Sequence, residues 1–413
     1  MAEQRLFKIF SPIRDFINDS RSTGILLIAC TFASLLLSNL SFSQQWYTGL
    51  WQTAVHFTGN QNIHLPENYL LLINDVLMTC FFFLVGMEIK RELTIGELAS
   101  IRKSLLPVMA ALGGMICPAV IFSFFNIHTP GKPGWGIPMA TDIAFSLGVL
   151  SLLGKKIPVQ LKIFLAALAI IDDLGAVITI AVFYTAQLHL MYLALAGGLT
   201  VILIALNRFK VEKLVFYLVP GILLWYCIFN SGVHATVAGV IVAFCMPLNN
   251  LAKLEHVLHK PVNFIIMPLF ALANTAIVLP SNITDVFTSS ISPGVMLGLI
   301  FGKPLGIFFF SFIAIKTGIA SLPSNTNFKQ LWGIGLLGGI GFTMSIFTST
   351  LAFEHDHFQI ISKVSVMVGS LVAGMIGYLY LYHFKNKKDI KLEYPPKKSR
   401  QFHFTPGLKT AGN

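Results

Sequence analysis

The chain has 413 residues and a formal net charge of +11, yet only 11% of its residues are charged and 55% are hydrophobic. Its mean hydropathy is +0.73, whereas soluble domains carry about 25% charged residues. These figures exclude the two or three soluble domains that length alone suggests and point to one all-α polytopic membrane domain with short loops.

About 20 apolar residues cross the hydrocarbon core as a helix. On that measure the sequence predicts twelve spans: Thr23–Leu40, Tyr69–Ile89, Leu105–Phe125, Ile137–Leu153, Val159–Tyr184, Met191–Leu206, Leu214–Phe229, Val233–Met246, Val262–Val278, Pro293–Ile315, Leu331–Phe353 and Ile361–Phe384. Loops after even-numbered spans are basic. Lys90, Arg91, Arg102 and Lys103 follow the second, Lys155, Lys156 and Lys162 flank the exit of the fourth, and Arg208, Lys210 and Lys213 follow the sixth. Lys253 and Lys260 follow the eighth, and Lys316 and Lys329 the tenth. Loops after odd-numbered spans hold only Lys132, and Lys363 near the start of the last span. By the positive-inside rule this alternation places both termini in the cytoplasm of a multi-pass protein.

The positive charge is therefore topology. A nucleic-acid surface needs a basic patch interleaved with aromatics, and none is present. Residues 1–384 read as the transmembrane domain and 385–413 as a basic, disordered cytoplasmic tail with Pro395 and Pro396. The tail is either solvated or drawn to anionic lipid headgroups. Arg5, Lys8, Arg14 and Arg21 are spread over a mixed segment, and Gly24–Leu40 lacks a small-residue cleavage site, which argues against a cleavable signal. Cys30, Cys80, Cys117, Cys227 and Cys245 are isolated on apolar segments and read as small buried hydrophobes.

Two spans look interrupted. The fourth is preceded by Pro130, Gly131, Pro133, Gly134, Gly136 and Pro138; the eleventh contains Gly333, Gly335, Gly338, Gly339 and Gly341. Backbone groups freed by such breaks must face protein or water, because lipid cannot satisfy them. Paired interruptions in two halves of a transporter point to its substrate site. Their odd separation of seven spans makes spans three to five and ten to twelve candidates for inverted repeats. Close helix packing is the competing reason for the glycines of the eleventh span.

The ionisable residues sit on these segments. A charge at bilayer depth costs at least roughly 2.5–3.5 kcal/mol, so it usually lines a cavity or pairs with another charge. Thr141 and Asp142 lie on the fourth span, Asp172 and Asp173 on the fifth and Lys303 on the tenth. Asp172 and Asp173 fall roughly 20 Å along the axis from Val159, at ~1.5 Å per residue. They are therefore near mid-membrane. Adjacent helix positions diverge by ~100°, so one aspartate lines a cavity while the other reaches a neighbouring helix. Two nearby carboxylates resist joint ionisation in a poorly hydrated site. Such a pair carries protons near neutral pH and, once deprotonated, offers oxygen ligands to a hard cation such as Na⁺ or Li⁺. The Thr141 hydroxyl and freed carbonyls suit the same ion.

Lys303, in Gly302-Lys303-Pro304, is too deep to snorkel and either loses its proton or pairs with an aspartate. Pro304 stands where a phosphate loop needs Ser or Thr, which removes a nucleotide reading. Asp142 is placed to offset a positive helix end at its break, and Lys303 a negative one. Asp75, on the second span, either lines an entrance or pairs with a polar neighbour. His234 is either a sensor or a hydrogen-bonded structural histidine. Glu88, Lys90, Arg91 and Glu92 close the second span, while Glu255, His256 and His259 precede the ninth, with both histidines on one helix face. The bland reading of that cluster is a solvated face; metal binding lacks further ligands.

In this order and spacing, LVGMEIKREL (Leu84–Leu93), ATDIAFSLGVL (Ala140–Leu150), AIIDDLGAV (Ala169–Val177), LEHVLH (Leu254–His259), GKPLGI (Gly302–Ile307) and GIGFTMSIF (Gly339–Phe347) resemble one family. It is the bacterial sodium/proton antiporters called NhaA, itself an instance of the inverted-repeat architecture. The resemblance runs from about Phe10 to Tyr382. It implies about twelve transmembrane helices with inverted repeats and two discontinuous helices that unwind and cross. By that resemblance Asp173 is the main cation ligand with Asp172 beside it, and Asp172 pairs with Lys303 in one state and releases it in another. Asp142 and Lys303 balance charge at the crossing. Glu88, Arg91, Glu92, Glu255, His256 and His259 match the pH-response region.

The resemblance also implies electrogenic, pH-regulated exchange of Na⁺ or Li⁺ for protons in the inner membrane by a homodimer whose pairing hairpin lies between Ser41 and Asn68. No cofactor and no enzymatic activity are expected; the partners are the ions and the lipid bilayer. Ala252 departs from the family, which has a basic residue there beside Lys253. Two other readings compete: a passive cation channel, and an intramembrane aspartyl protease, whose YD and GxGD motifs are absent.

Overall fold

The computed structural model describes residues 22–55, 64–154, 157–185, 187–280, 282, 284–324 and 326–383. The tail 385–413, the basic residues before Ser22, Lys155, Lys156 and the middle of the first interspan loop lie outside them, as do the side chains of Arg102 and Lys103.

The chain opens with α1 (Ser22–Asn39), a short α2 (Gln44–Gln52), α3 (Tyr69–Thr94) and α4 (Ile101–Asn126). A 3-10 segment (Lys132–Met139) leads to α5 (Ile143–Leu152) and α6 (Val159–Phe183). Next come α7 (Leu190–Arg208), α8 (Val215–Phe229), α9 (Thr236–Cys245) and α10 (Leu248–Asn274). A five-residue α11 (Thr284–Thr288) precedes α12 (Ile291–Lys316), α13 (Phe328–Gly338), α14 (Phe342–Ala352) and α15 (Asp356–His383).

Nine of these units are long and apolar enough to cross a membrane, α13 and α14 form a tenth span bent by 46°, and α8 and α9 are shorter apolar helices. They account for the twelve predicted segments. The described residues form no strand; the first interspan loop shows an isolated bridge between Ala54 and Asn68.

Several boundaries differ from expectation, and two of these differences are informative. The helix of the ninth span starts at Leu248, so Glu255, His256 and His259 lie on α10 and not in a loop before it. Their polarity hides the helix from a hydropathy window, because that end faces water. The eighth span keeps only ten helical residues. Its last carbonyls, which a helix end leaves unpaired, are taken by other elements. Lys90 Nζ donates to Phe244 O at 2.7 Å and also to Met246 O, and Asn207 Nδ2 donates to Cys245 O at 2.7 Å.

Glycines set the closest helix approach. Gly298, Gly302 and Gly306 recur every fourth residue on α12 and face α4 and the 3-10 segment at Gly113, Pro118 and Pro138. A Cβ on Gly113 or Gly306 would run into the other's carbonyl group. Small residues at this spacing let backbones meet where no hydrophobic force drives association. The row fixes the depth and rotation of α12, and therefore of Lys303. The turn just before Lys303, Gly298–Gly302, is a π-helical turn, as is Ile73–Leu77 around Asp75. Such turns reorient side chains and occur often at functional sites.

Candidate functional site

The fourth span breaks because Pro133 and Pro138 lack an N–H and glycines loosen the turn before it. Its 3-10 segment gives way to extended backbone at Ala140 and Asp142, and α5 begins at Ile143. The bent span interrupts its own ladder between Gly338 and Phe342. The two breaks lie against each other and satisfy each other. Asp142 N–H donates to Ile340 O at 2.7 Å, and Thr141 Oγ1 donates to Gly338 O at 2.9 Å.

Asp142 caps two helices at once. Its Oδ1 accepts from Phe145 N at 3.0 Å in the first turn of α5, and its Oδ2 accepts from Thr343 N at 3.0 Å in the first turn of α14. The Thr343 hydroxyl donates to the same Oδ2. Both positive helix ends thus converge on one carboxylate that is 2% exposed. Thr343 went unremarked as a site residue in the sequence. Only the run of glycines around the break hinted that its hydroxyl has a polar partner.

The fifth span supplies the aspartate pair, and its two members have different surroundings. Asp172 Oδ2 lies 2.6 Å from Thr141 Oγ1, whose single proton is shared between it and Gly338 O, and forms an ion pair with Lys303 Nζ. Lys303 Nζ also lies 2.8 Å from Thr141 Oγ1. Asp173 turns away. Its Oδ1 is buried without a hydrogen-bond partner, and it lines a cavity of about 190 Å³. Glu88, His259 and Asn263 line the same cavity toward the basic-loop side, with Asp142 and Thr343 at its depth. The space is large enough for several waters.

The Lys303 expectation needs one refinement. Its ammonium touches no carbonyl of a broken helix; it meets the C-terminal end of α13 only through Thr141, which bonds Gly338 O. Its direct partner is Asp172.

The second cluster is partly assembled. Arg91 Nε lies 3.3 Å from Glu255 Oε2, and a second guanidinium nitrogen of Arg91 lies 3.3 Å from Glu92 Oε1. The Arg91–Glu255 contact is a charge contact without hydrogen-bond alignment. Asn263 Nδ2 sits 3.2 Å from His259 Nε2. His256 is exposed and does not line the cavity.

Asp75 and His234 come together, with His234 Nε2 at 3.3 Å from Asp75 Oδ1 and its Nδ1 at 2.8 Å from Thr236 Oγ1. This contact joins two residues that the sequence left with open alternatives. On the side away from the basic loops, Tyr184 at the end of α6 fastens the 3-10 segment. Its hydroxyl donates to Pro133 O at 2.8 Å and accepts from Gly136 N at 3.1 Å.

A buried carboxylate beside a cavity, framed by two broken helices on apolar spanning segments, fits an ion-carrying polytopic membrane protein. The family described as Na+/H+ antiporter 1 matches residues 14–381, and the chain belongs to it. It is 48% identical over 406 residues to Na(+)/H(+) antiporter NhaA 2 of Flavobacterium johnsoniae, covering 94% of this chain and 96% of that protein. It is 49% identical over 381 residues to Na(+)/H(+) antiporter NhaA of Cytophaga hutchinsonii, covering 91% and 96%. Against Na(+)/H(+) antiporter NhaA of Citrobacter koseri the identity is 45% over 375 residues, covering 89% and 96%. The chain is a transporter and not an enzyme, which removes the aspartyl-protease reading.

Proposed function

We propose that the chain exchanges Na⁺ or Li⁺ from the cytoplasm for external protons across the bacterial inner membrane, with its basic loops and both termini cytoplasmic. The observation that carries this reading is the unequal aspartate pair. Asp172 Oδ2 is ion-paired with Lys303 and bonded to Thr141; Oδ1 of each aspartate has no donor, but only Asp173 lines the cavity. A buried carboxylate without a donor is satisfied by a proton or by a cation, and not by both. Competition for that oxygen is the simplest form of coupled exchange, because neither ion leaves until the other arrives.

On this reading the arriving cation draws Asp172 in as a second oxygen ligand, and Lys303 is released. Asp142 stays with its two helix ends and keeps the crossing neutral throughout. Exchange is electrogenic, with more protons than sodium ions per cycle, and proceeds by alternating access. Glu88, Arg91, Glu92, Glu255, His256 and His259 set its pH response at the cavity mouth. The protein acts as a homodimer joined through a hairpin carried by the loop from Ser41 to Asn68, and residues 385–413 form a cytoplasmic tail outside the transport domain.

The test uses purified protein in proteoliposomes that hold a pH gradient reported by a dye, across pH 6.5–8.5. Na⁺ and Li⁺ are expected to dissipate the gradient, K⁺ is not, and Asp173→Asn abolishes the response while remaining folded. Normal exchange by folded Asp173→Asn overturns the reading.

A further inference from the structure

The short helix α2 follows α1 after a four-residue turn and makes three different faces. Ser43, at its start, and Tyr47 are buried against the bundle. Phe42, just before the helix, Trp46 and Leu50 form a second sector, exposed by 77%, 56% and 41%. Gln45 and Gln52 occupy a third, polar and exposed sector. At ~100° per residue these sectors follow one another around the axis. No residue of Gln44–Gln52 is charged.

The depth of α2 is fixed by a shared acceptor. Ser34 Oγ of α1 donates to Leu272 O of α10 at 2.7 Å, and Tyr47 Oη of α2 reaches the same carbonyl at 3.3 Å. Ser34 lies five residues before the end of α1, about 7.5 Å along its axis at ~1.5 Å per residue. The helix α2 therefore lies within one tyrosine side chain of a level inside the bundle; it does not stand clear of it. An exposed apolar row on α1 (Ile28, Phe32, Leu36), followed by Leu40 in the turn, precedes the exposed Phe42, Trp46 and Leu50 in the chain. That row belongs to a membrane-crossing helix and is covered by lipid.

We propose that α2 is an interfacial anchor, seated in the headgroup–acyl boundary of the leaflet opposite the basic loops, with Phe42, Trp46 and Leu50 in lipid and Gln45 and Gln52 in water. Aromatic rings with a polar edge favour this zone. Amphipathic interfacial helices of this kind bind in proportion to their buried apolar area. Basic residues, which usually draw such helices to anionic lipid, are absent from α2, as suits the leaflet that the positive-inside rule depletes of them. Through Tyr47 the anchor sets the depth of α1 and α10 together.

The test is site-directed spin labelling of the full chain in nanodiscs, with the native cysteines replaced and single labels at 42, 46, 50, 45 and 52. Labels at 42, 46 and 50 are expected to collide with oxygen more than with a water-soluble nickel chelate, and those at 45 and 52 the reverse. Aqueous behaviour at all five positions overturns the proposal. Low access to both reagents at 42, 46 and 50, with dipolar broadening between copies, overturns it in favour of a second copy of the chain. Should the cysteine-free background misfold, the otherwise unmodified chain serves. There, quenching of tryptophan fluorescence by brominated acyl chains falls in Trp46→Phe, and unchanged quenching overturns the anchor.

Discussion

At the residue scale, the ion pair between Asp172 and Lys303 is the tightest commitment in the membrane. Both side chains are 0% exposed, so removing one partner strands the other. Breaking a buried pair costs about 3–5 kcal/mol. Lys303→Met is therefore expected to lower the melting temperature in detergent substantially, and Asp172→Asn added to it should recover part of the loss. A double-mutant cycle by thermal unfolding checks this; a loss in the double variant equal to the sum of the two single losses would show that the pair carries no coupling energy. The aspartates and the lysine were legible in the sequence because charge in an apolar run is costly enough to need a reason. Thr343 was not legible. Its bonds to Asp142 span 201 positions, and nothing local distinguishes a hydroxyl that caps a distant carboxylate from one that bonds its own helix.

At the scale of elements, the close crossing of α4 and α12 decides where Lys303 sits. A methyl at Gly306 gains the ~0.5–1 kcal/mol by which alanine outranks glycine in a helix, but overpacking at a backbone contact costs about 1–3 kcal/mol. The clash wins. Gly306→Ala is expected to destabilise the protein and to weaken cation affinity by displacing Lys303, whereas Gly197→Ala on α7, with nothing within 4 Å of the added carbon, is expected to leave both unchanged or to raise stability slightly. Melting temperatures and apparent sodium affinity of the two variants, measured side by side, check it. Hydropathy found every spanning segment, because the length of lipid crossed is a property of each segment alone. It missed the true start of α10 and overextended α9 at both ends. Helix ends are set by partners such as Lys90 and Asn207, which a window of local sequence does not contain.

At the scale of the whole molecule, access to the site is one-sided. The cavity that ends at Asp173 is lined by Glu88, His259 and Asn263 from the basic side, while Tyr184 ties the fourth span to α6 on the other. Asn263→Cys, in a chain without its native cysteines, is expected to react with a membrane-impermeant thiol reagent added on the basic side and not on the opposite side. Labelling from both sides, or only from the opposite one, would contradict the geometry. On the proposed function, protons and cations that reach Asp173 in this conformation arrive from a single compartment.

The double cap on Asp142 has a consequence for what a transport cycle moves. Two helix N-terminal ends worth about half a positive charge each meet one carboxylate, so these three groups sum to about zero. They behave as an insulated frame. Voltage across the membrane finds little to pull on there, and on the proposed function the current carried per turnover is set by Asp172, Asp173 and Lys303. A variant that alters how many charges cross with each ion belongs among those three side chains, and a change at Asp142 alters whether the frame holds at all.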